Sequence, residues 1–199
     1  MVFSPVLWLS VFILGTSASV FRRGASSPNG PTLDGPKNEP PFRADAQLTF
    51  RSADGGAKPQ TINIEIPETF TKFMEGLMWR KNLADDQGMI FAWDQDGPRG
   101  FWMENTLIGL DIVYANSNKQ IVSVVQGEPL SLKSLPSAMP ATYAIEVPLG
   151  WFEKHGFKVG DLVDFEFPSA DHYVASDAPN FGATDEEVRL AEEAGVYQR

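Results

Sequence analysis

The residues best equipped for chemistry lie between Gly76 and Asp111. The segment reads Gly76-Leu77-Met78-Trp79-Arg80, then Gly88-Met89-Ile90-Phe91, then Phe101-Trp102-Met103-Glu104-Asn105-Thr106, then Leu110-Asp111-Ile112-Val113. Core packing accounts for Met78, Met89, Met103, Phe91 and Phe101, because a thioether chain fills irregular gaps. Trp79, Trp93 and Trp102 are able to line a cleft, since each large ring carries a polar tip. The polar members ask for more. Arg80 closes an apolar helical stripe, Asp111 opens an apolar strand, and Glu104-Asn105-Thr106 follows an aromatic run. A charge beside apolar chain needs a partner. Two readings follow for Arg80: a structural ion pair with Asp111, or a guanidinium fork offered to an anionic or polar ligand and oriented by Asp111.

Strand alternation adds a second possibility. It puts Trp102 and Glu104 on one face, and Thr142, Ala144 and Glu146 on one face of a later strand. If those faces meet, Glu104 and Glu146 form a two-carboxylate arrangement usable for acid–base work. The candidate ligand-binding set is therefore Arg80, Trp102, Glu104, Asn105, Asp111 and Glu146.

Composition narrows the alternatives. The chain of 199 residues has no cysteine, which removes disulfides, thiolate catalysis, iron–sulfur clusters and thiolate zinc sites. Two histidines, His155 at a helix end expected to face solvent and His172 near the C-terminus, argue against a multi-histidine metal site. The net charge of −10 argues against binding nucleic acid by phosphate neutralisation. Hydrolase, Walker-loop, zinc-protease and dinucleotide motifs are missing, so no cofactor and no metal are expected.

The elements that must position these residues read as short strands with one helix. Candidate strands are 46–52, 60–66, 88–93, 100–104, 110–115, 120–126, 141–147 and 162–167, separated by turns such as Asp54-Gly55-Gly56 and Asp96-Gly97-Pro98. Glu68–Trp79 places Phe70, Phe73, Met74, Leu77 and Met78 at spacings of three and four, which predicts an amphipathic helix. Its interior Gly76 weakens the helix or marks close packing. Residues 148–155 read as a short helical turn closed by Gly156. The expected fold class is mainly β (α+β): a compact antiparallel sheet or barrel-like domain with one short helix.

Charge divides the chain into three regimes. Residues 1–45 carry net +1, residues 46–167 net −6, and residues 168–199 net −5. The apolar run Val6–Leu14 is too short to span a bilayer, which needs about 20 residues. With Thr16-Ser17-Ala18-Ser19 behind it, residues 1–18 read as a signal peptide. A two-part plastid address is the alternative. Residues 19–45 read as a disordered linker rich in proline and glycine. Residues 46–167 form the domain, and 168–199 an acidic tail with a short helix around 184–194. Secretion is the expected localisation, with no stable membrane span once the signal is removed.

The ordered motifs of the 76–113 segment, followed by Ala144-Ile145-Glu146-Val147-Pro148-Leu149-Gly150 and Val159-Gly160-Asp161, resemble domain of unknown function family 192 over about residues 46–167. The resemblance implies a compact, mainly-β, barrel-like domain with a short helix, in a largely prokaryotic and often exported family whose reaction is not established. Gly109 departs from the pattern, and Glu104 stands where the family often carries lysine, which alters the charge of any shared pocket. Three functional classes remain: an exported binding module for a small molecule, with a polar cleft around Arg80 and Asp111; an interaction protein assisting an exported partner; and a carboxylate-dependent hydrolase or lyase.

Overall fold

Alternating apolar residues make Ala46–Arg51 (β1) and Gln60–Glu65 (β2) an antiparallel pair in which Leu48 faces Ile62, Thr49 faces Thr61 and Phe50 faces Gln60. In this computed structural model, which describes residues 39–168 and 174–175, that pair belongs to one large curled sheet. The expected signal peptide, the expected linker up to residue 38 and the expected tail helix lie outside the described residues. The remaining strands of the sheet are Gln87–Gly97 (β3), Leu110–Ala115 (β5), Ile121–Gly127 (β6), Ala141–Pro148 (β8), Leu162–Phe165 (β9) and Val174–Ala175 (β10). Their order is β6-β5-β8-β3-β2-β1-β9, with β10 beside β3. Gly100–Phe101 (β4) and Leu135–Pro136 (β7) form a separate two-stranded ribbon.

Two features differ from the sequence expectation. The sheet is mixed, because β3 runs parallel to β2 and to β10 and antiparallel to β8. The 21 residues between β2 and β3 include a helix and carry the chain back to the starting edge, which permits a parallel neighbour. Nor is the sheet a closed barrel. Gln120 bridges Leu162 at one corner, so the β6 and β9 edges approach, but no ladder continues from that bridge.

Both faces of the sheet are covered. On one face Leu48, Phe50, Ile64, Ile90, Val113, Ile145 and Val147 pack with Trp151 and Phe157. On the other, Met89, Phe91, Trp93, Ile112 and Tyr114 pack with Phe73, Leu77 and Met103. Strands buried on both faces carry near-continuous apolar runs, as β5 does.

The helix is shorter than its stripe suggests. Phe70–Glu75 (α1) starts at Thr69, whose hydroxyl accepts the Lys72 N–H at 3.3 Å, and stops at Gly76. Gly76 has φ 51° and ψ −129°, a conformation open to glycine alone. Trp151–Lys154 (α2) occupies the predicted helical turn, with Gly150 and Gly156 at positive φ on either side. No helix among the described residues is long and apolar enough to cross a membrane.

Candidate functional site

The sheet face that carries α1 bears a row of side chains set by strand register. Glu65 on β2 is opposite Met89 on β3, Met89 is opposite Glu146 on β8, and Glu146 is opposite Ile112 on β5. Directly paired residues share a face, so two buried glutamates flank one methionine. Their environments differ. Arg80 Nη2 donates to both carboxylate oxygens of Glu65, at 2.8 and 2.7 Å. Arg43 N–H adds a bond of 2.7 Å to Glu65 Oε1. Glu146 is 4% exposed, and its Oε2 is buried without a hydrogen-bond partner. Burial pushes the Glu146 carboxyl up to about 8.

Glu146 lines a cavity of about 340 Å³. The walls come from the α1 end (Phe73, Gly76), β3 (Phe91, Trp93) and the β4 region (Phe101, Trp102), with Thr106 nearby. Phe73 meets Phe91 and Trp93 edge-on at 5.2 and 5.3 Å, and Phe91 meets Phe101 at 5.0 Å. Such edge-to-face contacts hold the rings in a fixed wall. Gly76 is needed here as well as at the helix end. A Cβ on it would lie 3.3 Å from Phe91 Cζ and 3.7 Å from Glu146 Oε2.

The rim carries backbone strain. Trp79 has φ 66° and Asn105 φ 54°, and Trp79 N–H donates to the Asn105 carbonyl at 2.8 Å. Asparagine tolerates the left-handed region, whereas for tryptophan it is an uncommon conformation. The pair ties the turn after α1 to the β4–β5 connection. Tyr114 stands near Glu146, and its hydroxyl donates to the Leu135 carbonyl at 2.5 Å. Burial and then the Glu146 charge push the Tyr114 phenol upward.

The sequence-derived candidates separate. Glu146 and Trp102 line the cavity, and Trp102 is 41% exposed at its mouth. Arg80 pairs with Glu65 and not with Asp111; its Nη1 also donates to the Pro40 carbonyl at 2.5 Å. Lys81 N–H donates to Glu39 Oε1 at 2.9 Å, so residues 39–43, read from sequence as part of the linker, are bound to the domain. Asp111 is a remote helix cap. Its Oδ1 accepts from Gly150 N–H at 3.0 Å and Gln126 Nε2 at 3.1 Å, and its Oδ2 accepts from Phe152 N–H at 2.9 Å. It thereby supplies the cap that Gly150 cannot give α2. Among the described residues, the cavities lined by Glu146 and by Arg80 do not include Asp111.

Asn105 supports the rim, its side-chain amide 3.8 Å from Met78 Sδ. Glu104 is half-buried, its carboxyl raised by burial, and it is not among the residues lining the Glu146 cavity. The expected strand 100–104 ends at Phe101, so the alternation that would aim Trp102 and Glu104 together does not extend that far. His155 is also more enclosed than expected: it packs 4.4 Å from Trp151, and its Nε2 is 3.2 Å from Asp85 Oδ2. Sequence reasoning missed Glu65, since its place on the polar side of β2 suggested a solvated face. It also missed Phe73 and Gly76 as cavity walls. The glycine inside an apolar stripe was the available signal.

A curled, mainly-β domain with an aromatic cavity that holds one unpaired buried acid, Glu146, is the class of protein that the fold and site define. A family model described as "Uncharacterized ACR" matches residues 51–165, and the chain belongs to that family, domain of unknown function family 192. Two solved structures are similar to it. One is a "putative transcription regulator" from Sinorhizobium meliloti 1021, at 26% identity and TM-score 0.55, covering 60% of this chain and 92% of that one. The other is a protein of unknown function from Novosphingobium aromaticivorans DSM 12444, at 29% identity and TM-score 0.55, covering 59% of this chain and 83% of that one. A comparison with curated proteins finds no match.

Proposed function

We propose that this domain is a binding module for a small organic molecule, taken up in the aromatic cavity with Glu146 as its polar anchor. The observation that carries the reading is the Glu146 carboxylate: buried, without a partner at Oε2, and part of the wall of a 340 Å³ cavity. Binding sites are concave, largely apolar and equipped with few polar groups. An unpartnered buried polar atom costs about 1–3 kcal/mol, more when charged, and a ligand that satisfies it offsets that cost. The cleft centred on Arg80 and Asp111 is replaced by this one, because both of those groups already have protein partners.

A fragment library screened by ligand-observed NMR against the full chain and its Gly100→Phe variant tests the reading. Gly100 borders the cavity, and a Cβ there meets nothing nearer than Ser134 Oγ at 3.8 Å, so the fold accommodates a phenyl group at the cavity's edge, where it obstructs entry. Expected are fragments that bind the parent and not the variant, with the melting temperature retained. Fragments that bind both alike would refute it.

The regulatory description of the Sinorhizobium protein, carried over to this chain, would make the domain a sensor and not the DNA-contacting part. Residues 46–167 carry sixteen acids against ten bases, the wrong balance for phosphate contact. Export remains the proposed localisation, on the strength of Val6–Leu14 followed by small residues. N-terminal sequencing of the mature protein should begin near Ser19; recovery of an intact Met1 end from the cell interior would overturn it. An accessory role for the acidic tail of 168–199 is the second reading, tested by deleting it in a pull-down.

A further inference from the structure

Glu65 and Glu146 occupy the same row of the same sheet face, two strands and so about 10 Å apart. The fold neutralises the first with Arg80, whose Nη2 bridges both carboxylate oxygens. It supplies no cation to the second. Among the described residues, the charged groups lining the cavity beside Glu146 are Glu146 itself and Glu75, and both are acids. Glu75 is paired 2.6 Å away with Lys72, which leaves Glu146 without a counter-charge. The space next to it is walled by aromatic rings, whose π faces attract cations and whose low polarity strengthens a carboxylate–cation contact.

We propose that the cavity takes an organic ammonium carrying an apolar or aromatic substituent, its cationic head on Glu146 Oε2 and its substituent against Phe91, Phe101 and Trp102. This rests on the binding-module reading above and assigns its ligand class. The ligand would do for Glu146 what Arg80 does for Glu65. The apolar part follows from the wall, and the exit past Trp102 and Leu132, which are 41% and 69% exposed, leaves room for a longer substituent.

Proton exchange accompanies such binding. The ionisable groups around Glu146 are Tyr114 on β5, which donates to the Leu135 carbonyl, Glu75 paired with Lys72 on α1, and the Glu65–Arg80 pair beyond Met89. The flanking β3 residues, Met89 and Phe91, do not titrate. Burial keeps the Glu146 carboxyl protonated up to about pH 8. An ammonium that pairs with the carboxylate must expel that proton to water, so its affinity rises about tenfold per pH unit below that point.

Three probes of one shape separate the possibilities: benzylammonium, benzyl alcohol and benzoate, titrated into the full chain at pH 7.5 while following tryptophan fluorescence. Trp93 and Trp102 line the cavity and report occupancy. Benzylammonium should bind at least tenfold tighter than benzyl alcohol, with benzoate inert. The preference should weaken as pH falls from 7.5 to 5.5 and vanish in Glu146→Gln. Equal or tighter binding of the alcohol or the benzoate, or a preference that survives in Glu146→Gln, overturns the ammonium assignment while leaving the cavity reading intact. Silence from all three probes, in parent and variant alike, overturns both.

Discussion

Replacing Glu146 by glutamine should stabilise the protein, by an amount that grows with pH. An unfolded glutamate titrates near 4.5, and burial in the fold pushes this one up to about 8. Between those values the folded chain holds a proton that the unfolded chain has released. Stability of the parent therefore falls as pH rises, by about 1.4 kcal/mol per unit. Over roughly 3.5 units the loss reaches about 5 kcal/mol, a large fraction of what holds an ordinary domain together. The contribution is complete below pH 4.5 and gone above pH 8. Glutamine keeps the shape and carries no titrating proton, so its curve lacks this slope. Glu104 also has a raised carboxyl, but it is present in both proteins and cancels in the difference. Urea unfolding of parent and variant at pH 4.5, 6, 7, 8 and 9 gives the difference directly. It should be small at pH 4.5, climb through neutrality and level off near pH 8. A difference that stays flat across this range would refute the claim that Glu146 is buried without a counter-charge.

Three further changes separate structural roles from ligand binding. Arg80→Leu strands the buried Glu65 carboxylate and should cost about 3–5 kcal/mol in urea unfolding, and adding Glu65→Leu should recover most of it; additive losses would contradict a direct pair. Asp111→Ala removes three hydrogen bonds, two of them to backbone N–H groups at the start of α2, and should cost about 3 kcal/mol while probe affinity in the cavity is unchanged. Gly76→Ala should destabilise by about 1–3 kcal/mol, because alanine cannot adopt φ 51°, ψ −129° without strain and its methyl group presses on Phe91; thermal unfolding at the parent's melting temperature would show no such loss if the glycine were incidental.

Period-two alternation placed β1 and β2, and apolar segments set off by turn signals placed β5, β6, β8 and β9, because strands in a two-sided core must carry apolar residues on at least one face. Two-residue elements escaped it. Neither β7 at Leu135–Pro136 nor β10 at Val174–Ala175 is long enough to show a period. The motif cluster between Gly76 and Asp111 did enclose much of the cavity, and Glu146 and Trp102 among the six candidates line it.

The partners could not be read in the same way. Local sequence marks Arg80 and Asp111 as charges beside apolar chain, and that alone requires each to have a partner. Which partner is a matter of register. The parallel docking of β3 on β2 brings Glu65 and Glu146 into one row, and α1 with the turn after it places Arg80 over the first and leaves the second bare. Asp111 is drawn to the start of α2 because β5 pairs with β8 so that Leu110 faces Pro148. These contacts join residues 15 to 41 positions apart. Short-range chain statistics carry no information over such separations. The amino-acid order by itself determined the mainly-β class and the presence of polar residues that had to be explained. Only the tertiary pairing decided that two charges are scaffold, and that Glu146, the acid left without a counter-charge, faces a cavity.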